Sequence, residues 1–154
     1  KYFSMTGWRV GWMVVPDDHV RRVERLAQKM FICAPHAAQR LALHAMDCGP
    51  ELEANKAVYA ANRALMIDGL TAAGLDRFAP PDGAFYVYVD VSDYTDDALA
   101  FAAEILDQAG VAVTPGLDFD SARGQHWLRF SYARGTDDIR EGLNRLASFM
   151  KGRA

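Results

Sequence analysis

Two rhythms of apolar positions divide the chain. Arg9 to Val15 (RVGWMVV) is almost continuously apolar and is bounded by Thr6-Gly7 and Pro16. Such a run predicts a strand buried on both faces. Beyond it the spacing becomes helical. Val20, Val23, Ala27 and Met30 recur on one face, with Asp17 or Asp18 placed to accept from free N–H groups at the helix start. Pro35 suits the first turn of a second helix, whose small-residue face carries Ala37, Ala38, Leu41, Ala45 and Met46. Gly49-Pro50 is expected to stop it. A third helical pattern runs from Glu51 to Ala73, with Val58, Asn62, Leu65, Met66, Leu70 and Ala73 on one side and Gly74 as its stop. It would be roughly 35 Å long, a length suited to linking two domains.

After the turn cluster Pro80-Pro81-Asp82-Gly83 the period drops to two. Phe85, Val87, Val89 and Val91 share one face of a strand; Tyr86, Tyr88 and Asp90 share the other. Asp90 is expected to be an exposed strand residue and Asp93 part of a turn. A helix is predicted from Asp96 to Ala109, stopped by Gly110. Short strands are predicted at Val111–Thr114, before Pro115-Gly116, and at Trp127–Ala133. The last helix begins near Thr136, with Ile139, Leu143, Leu146, Ala147 and Met150 inward and Arg140, Glu141, Asn144 and Arg145 outward. The expected layout is residues 1–54 completing a larger α/β domain. Residues 55–154 form a smaller α+β domain, with helices on a mainly antiparallel sheet.

At 51% hydrophobic and 24% charged, the 154 residues can build an ordinary core. The net charge of -3 supplies no basic footprint for nucleic acid. No apolar run approaches the roughly 20 residues of a membrane span, and the N-terminus lacks the layout of a signal peptide. Cys33 and Cys48 form no C-x-x-C pair and are expected to be reduced, partly buried thiols of a cytoplasmic protein. His19, His36, His44 and His126 lack metal-ligand spacing and are read as surface or packing residues, so no metal site is expected.

Candidate chemistry concentrates at the start, Lys1-Tyr2-Phe3-Ser4-Met5-Thr6-Gly7-Trp8-Arg9-Val10-Gly11-Trp12. An arginine at the beginning of a buried strand needs an anion, because an unpaired buried charge is costly. Its fork suits a phosphate or a carboxylate. A nearby lysine is a nucleophile for a carbonyl. Gly7 and Gly11 would let the backbone approach something closely. Phosphate and aldehyde together describe pyridoxal phosphate. By itself, a lysine and an arginine eight residues apart are most often solvated charges. Tyr2, Trp8, Trp12, Tyr86 and Tyr88 are expected to be packing aromatics rather than pocket walls.

The run K-x-x-S-M-T-G-W-R-x-G-W resembles the cofactor-attachment motif of class I aminotransferases, and the resemblance continues in family order. Pro81-Asp82-Gly83-Ala84-Phe85-Tyr86 is similar to the family's P-x-G-[GA]-F-Y. Gly110-Val111-Ala112-Val113-Thr114-Pro115-Gly116 with Phe119 is similar to G-V-x-V-x-P-G-x-x-F, although Asp120 stands where glycine is common. Trp127 to Ala133 resembles a late strand, before a closing helix with Ile139, Gly142, Leu143, Arg145 and Leu146. The resemblance implies the C-terminal part of a pyridoxal-phosphate-dependent transferase fold, beginning at the cofactor lysine. It implies Lys1 as the catalytic Schiff-base lysine, Arg9 as the ligand of the cofactor phosphate, and Arg129 as the ligand of the substrate α-carboxylate. Strand alternation puts Arg129 on the face opposite Leu128, Phe130 and Tyr132, toward a cleft.

The implied activity moves an amino group between an L-amino acid and a 2-oxo acid, in a homodimer, without nucleic acid or membrane partners. The acidic partner of the pyridine nitrogen and the stacking aromatic would lie upstream, so the chain as given is expected to be incomplete as an enzyme. Two alternatives stand: a pyridoxal-phosphate-dependent C–S lyase of the same fold, and a non-catalytic fragment that binds a partner through the helix at Pro35 to Met46.

Overall fold

The computed structural model describes residues 1–153 and divides into two compact units, Lys1–Lys56 and Ala57–Ala154. Elements run in the order α1 (Asp17–Met30), α2 (His36–Ala45), α3 (Gly49–Ala72), β1 (Tyr86–Asp90), α4 (Ala98–Ala109), β2 (Thr114–Pro115), β3 (Trp127–Ser131) and α5 (Thr136–Lys151). The architecture is mixed α/β. No helix among the described residues is long and apolar enough to cross a membrane.

In the first unit, the expected strand at Arg9–Val15 does not form. The segment is unpaired, and Trp12, Met13 and Val14 are 66%, 69% and 95% exposed. A doubly buried strand needs neighbours for its N–H and C=O groups and a layer on each face. The described residues supply neither. Helix α1 forms where expected, but Pro16 occupies its N-cap and neither Asp17 nor Asp18 caps it through a side chain. Pro35 likewise sits just ahead of α2. Gly49-Pro50 does not stop a helix but opens α3, with the Leu52 N–H already bonded to Cys48 O at 3.1 Å. Proline fits there because first-turn N–H groups have no intrahelical acceptor. Cys33 and Cys48 are exposed, not partly buried; both lie in the turns that follow α1 and α2.

The second unit is built around a three-stranded antiparallel sheet in the order β1-β3-β2. Val87, Val89, Leu128 and Phe130 turn to one face and are buried, as strand alternation requires. Met66, Leu70, Phe101, Ile105, Ile139, Leu143, Leu146 and Met150 from α3, α4 and α5 cover that face. Asp97 caps α4 by accepting from the N–H groups of Leu99 and Ala100 at 3.1 and 3.0 Å. Gly110 ends α4 at φ 65°, in the left-handed region. The strand expected over Val111–Thr114 is shorter and later, because only Thr114 and Pro115 find partners in β3, opposite Arg129 and Leu128.

Asp90 corrects another expectation. Its side chain is only 18% exposed and pairs with Arg77 Nη2 at 2.7 Å, while Arg77 Nη1 reaches Asp93 at 2.5 Å. Burial opposes the Asp90 charge. The Ser92 hydrogen bonds and the Arg77 and His126 charges outweigh it and hold the carboxyl below its ordinary range.

Candidate functional site

The chemistry-bearing residues fall in both units: Lys1 and Arg9 in the first, Arg129 in the second. In the first unit, the Ser4 N–H donates to Lys1 O at 2.9 Å, and a 3-10 turn follows over Thr6–Trp8. Arg9 ends that turn at φ 54°, ψ 39°, a left-handed conformation that costs a non-glycine residue about 1 kcal/mol. Its side chain is therefore not launched from a buried strand, as the sequence suggested. It projects from a turn, is exposed, and uses Nη1 to donate to Thr6 O at 3.0 Å. Among the described residues its other donors are uncommitted.

Lys1 lines a cavity of about 280 Å³ with Thr6, Val10, Gly11, Trp12 and Ala42. Nothing lies within 4 Å of a Cβ added at Gly7 or Gly11, so neither glycine marks a close backbone approach among the described residues. Tyr2 is tied to the start of α3, its hydroxyl donating to Glu53 Oε1 at 2.7 Å. That hydrogen bond, first among several causes, pushes its phenol up.

In the second unit the non-core face of the sheet presents a row of cross-strand partners: Tyr88 on β1, Arg129 on β3 and Thr114 on β2. Tyr88 stacks on Trp127, with ring centroids 4.8 Å apart and planes 13° apart. Among the described residues its buried hydroxyl has no hydrogen-bond partner, and burial pushes the phenol up.

Arg129 faces away from the core, as alternation predicted. Its guanidinium carbon lies 4.2 Å from the Tyr86 ring centroid and 4.4 Å from that of Phe119. Nη2 donates to Thr114 Oγ1 at 3.4 Å, and the buried Nε has no hydrogen-bond partner among the described residues. No carboxylate among the described residues pairs with it. A half-buried cation with uncommitted donors is suited to an external anion.

Thr114 and Phe119 were not anticipated as neighbours of Arg129. For Thr114 the signal was weak, since register between strands is not local information. For Tyr86 a signal existed: alternation puts it on the same sheet face as Arg129. Phe119 arrives from an irregular loop and carried no periodic signal at all.

Comparison with known proteins adds an independent finding. The model of the family described as aminotransferase class I and II matches residues 1–146. The valine–pyruvate aminotransferase of Mycobacterium tuberculosis is 48% identical over 152 residues, covering 97% of this chain and 39% of that protein. A solved protein from Silicibacter pomeroyi is 71% identical, with a TM-score of 0.93 over 99% of this chain and 41% of its own. A solved Thermus thermophilus aspartate aminotransferase variant is 34% identical, with a TM-score of 0.84 over 96% of this chain and 40% of its own. The chain thus spans about two-fifths of the length of the relatives it matches. Its architecture is that of the C-terminal part of their fold. By sequence over nearly its whole length and by structure, this chain belongs to the class I and II aminotransferase family, whose members depend on pyridoxal phosphate.

Proposed function

We propose that the whole protein transfers an amino group between an L-amino acid and a 2-oxo acid. Lys1 carries pyridoxal phosphate, Arg9 binds its phosphate, and Arg129 holds the substrate α-carboxylate. The donor set fits the cofactor. Lys1 brings an amine to the wall of a cavity, and Arg9 offers uncommitted guanidinium donors from a neighbouring turn. The observation that carries the carboxylate assignment is Arg129 itself, half-buried, without a paired carboxylate and with a partnerless Nε.

Pyridoxal phosphate, when bound, supplies the electron sink for charge developing at the substrate α-carbon. The chain's residues do the rest. Lys1 Nζ would be the cofactor's covalent anchor and would be released when the substrate amine takes its place. The freed Lys1 Nζ would take the proton from the substrate α-carbon and give one back, serving as general base and then acid. Arg129 fixes the carboxylate, so that the α-carbon rather than the carboxyl is the reacting centre. A lyase that eliminates a side-chain group would need no second oxo acid; transfer requires one. The protein is further proposed to act as a cytoplasmic homodimer without nucleic acid or membrane partners. The relative named for valine and pyruvate makes that pair the first to assay.

The test is an absorbance spectrum of the whole protein with pyridoxal phosphate, before and after borohydride, beside Lys1→Ala. The expected result is a visible band that borohydride fixes on Lys1, together with amino-acid turnover that depends on added 2-oxo acid. Absence of the band overturns the cofactor reading. Turnover without oxo acid replaces transfer by elimination.

A further inference from the structure

We infer that Phe119 is a positioning residue for the Arg129 guanidinium, and that the loop Gly116–Gly124 is built to hold its ring there. This deepens the reading of Arg129 as carboxylate anchor and rests on it.

Phe119 is 54% exposed and lies outside the hydrophobic core, so burial does not fix it. Among the described residues it has no ring–ring partner; its aromatic contact is the guanidinium carbon at 4.4 Å. An exposed aromatic of this kind ordinarily turns freely, yet the backbone beneath it is heavily constrained. The N–H groups of Phe119 and Asp120 both donate to Gly116 O at 2.9 Å, and the Gly124 N–H donates to Asp120 O at 2.8 Å. The Asp120 carboxylate accepts from the N–H groups of Ala122 and Arg123 at 3.0 and 3.1 Å and from Arg123 Nε at 2.9 Å.

The loop base is closed by two glycines in contact. A Cβ on Gly124 would lie 2.3 Å from Gly116 C, and one on Gly116 would lie 2.7 Å from Gly124 O. Asp120, the departure from the family pattern, is therefore the side chain that clasps this loop. Tyr86 supplies the second ring from a regular strand, 4.2 Å from the same carbon.

A guanidinium attracted to two ring faces keeps one plane. Its remaining N–H groups then meet a planar carboxylate in a fixed direction, which is what two parallel hydrogen bonds require. Losing the π face while keeping apolar bulk should loosen carboxylate binding without touching the proton transfers at Lys1.

The experiment compares wild type, Phe119→Leu, Phe119→Trp and Arg129→Gln in the whole protein loaded with pyridoxal phosphate. It measures kcat, KM for both the amino acid and the oxo acid, inhibition by propionate, and thermal midpoint. Phe119→Leu is expected to raise both KM values and the propionate inhibition constant about three- to tenfold, the size of a cation–π contribution. Its kcat should change far less, its thermal midpoint should stay near wild type, and Phe119→Trp should restore the KM values. Unchanged KM values in Phe119→Leu, beside a large loss in Arg129→Gln, would overturn the positioning role alone. So would equal losses in kcat and thermal midpoint that tryptophan does not repair. Wild-type kinetics in Arg129→Gln would remove the carboxylate anchor, and this inference with it.

Discussion

Thr136, the first residue of α5, donates its hydroxyl to Oδ1 of the fully buried Asn62 on α3 at 2.8 Å. The other end of the same amide donates to the carbonyls of Tyr132 and Arg134 at 3.3 and 2.9 Å. One side chain thus satisfies the irregular backbone between β3 and α5. Tyr132 directly extends the strand that carries Arg129, so this amide also anchors the candidate site from behind.

Replacing Asn62 by leucine should destabilise the second unit by about 2–3 kcal/mol, because a buried carbonyl, a part-buried carbonyl and a hydroxyl lose their partner together. Thr136→Val should cost about 1 kcal/mol. Urea unfolding of both variants checks this, and a Leu variant as stable as wild type would show that water replaces the amide.

Glycine positions in this unit should divide sharply. Alanine at Gly124 must push backbone atoms of Gly116 and Leu117, so a loss of about 1–3 kcal/mol and a displaced loop are expected. Alanine at Gly142, inside α5 with nothing within 4 Å of the added Cβ, should stabilise by about 0.5–1 kcal/mol. Thermal midpoints of the two variants, read side by side, decide it.

Acid should loosen the Phe119 loop. The N–H groups of Ala122 and Arg123, then the Arg123 side chain, hold the Asp120 carboxyl below its ordinary value of 3.8. A depressed folded-state value means the contribution is fully present above that ordinary value and is lost as pH falls through the lower, folded one. Asp90 has the same sign. Unfolding midpoints measured from pH 6 downward should therefore fall below about pH 4, and Asp120→Asn should flatten part of that slope. An equally steep slope in Asp120→Asn would exclude the clasp as its source.

Leu128 is fully buried beside Arg129, with its side chain on the opposite face of β3. Leu128→Ala should cost about 2–5 kcal/mol by leaving a cavity in the core. Circular dichroism against denaturant tests the magnitude. A cost below 1 kcal/mol would mean that the sheet collapses onto the space.

Much of the second unit was legible from local chemistry. A period of two at Phe85–Val91 and a period near 3.6 from Ile139 to Met150 each state which face is buried, because side-chain direction follows backbone geometry. Asp97 and Gly110 mark the ends of α4 for equally local reasons: orphan N–H groups and a left-handed residue. The outward direction of Arg129 came from the same alternation. The first unit was harder to read. Arg9–Val15 has the composition of a buried strand, but a strand exists only where another supplies hydrogen bonds, and that information is not in the segment. Gly49-Pro50 misled because proline is as suitable for opening a helix as for following one.

The sequence by itself determined the periodic elements of the second unit, the side of the sheet on which Arg129 stands, and a family resemblance carried by contiguous motifs. All of these depend on residues close together along the chain. Only the tertiary structure decided that Phe119 and Tyr86 flank that arginine, that Asn62 serves two carbonyls and a hydroxyl about 70 residues away, and that Gly116 and Gly124 touch. Those contacts join distant segments, and their geometry follows from strand register and loop closure, which no local pattern encodes.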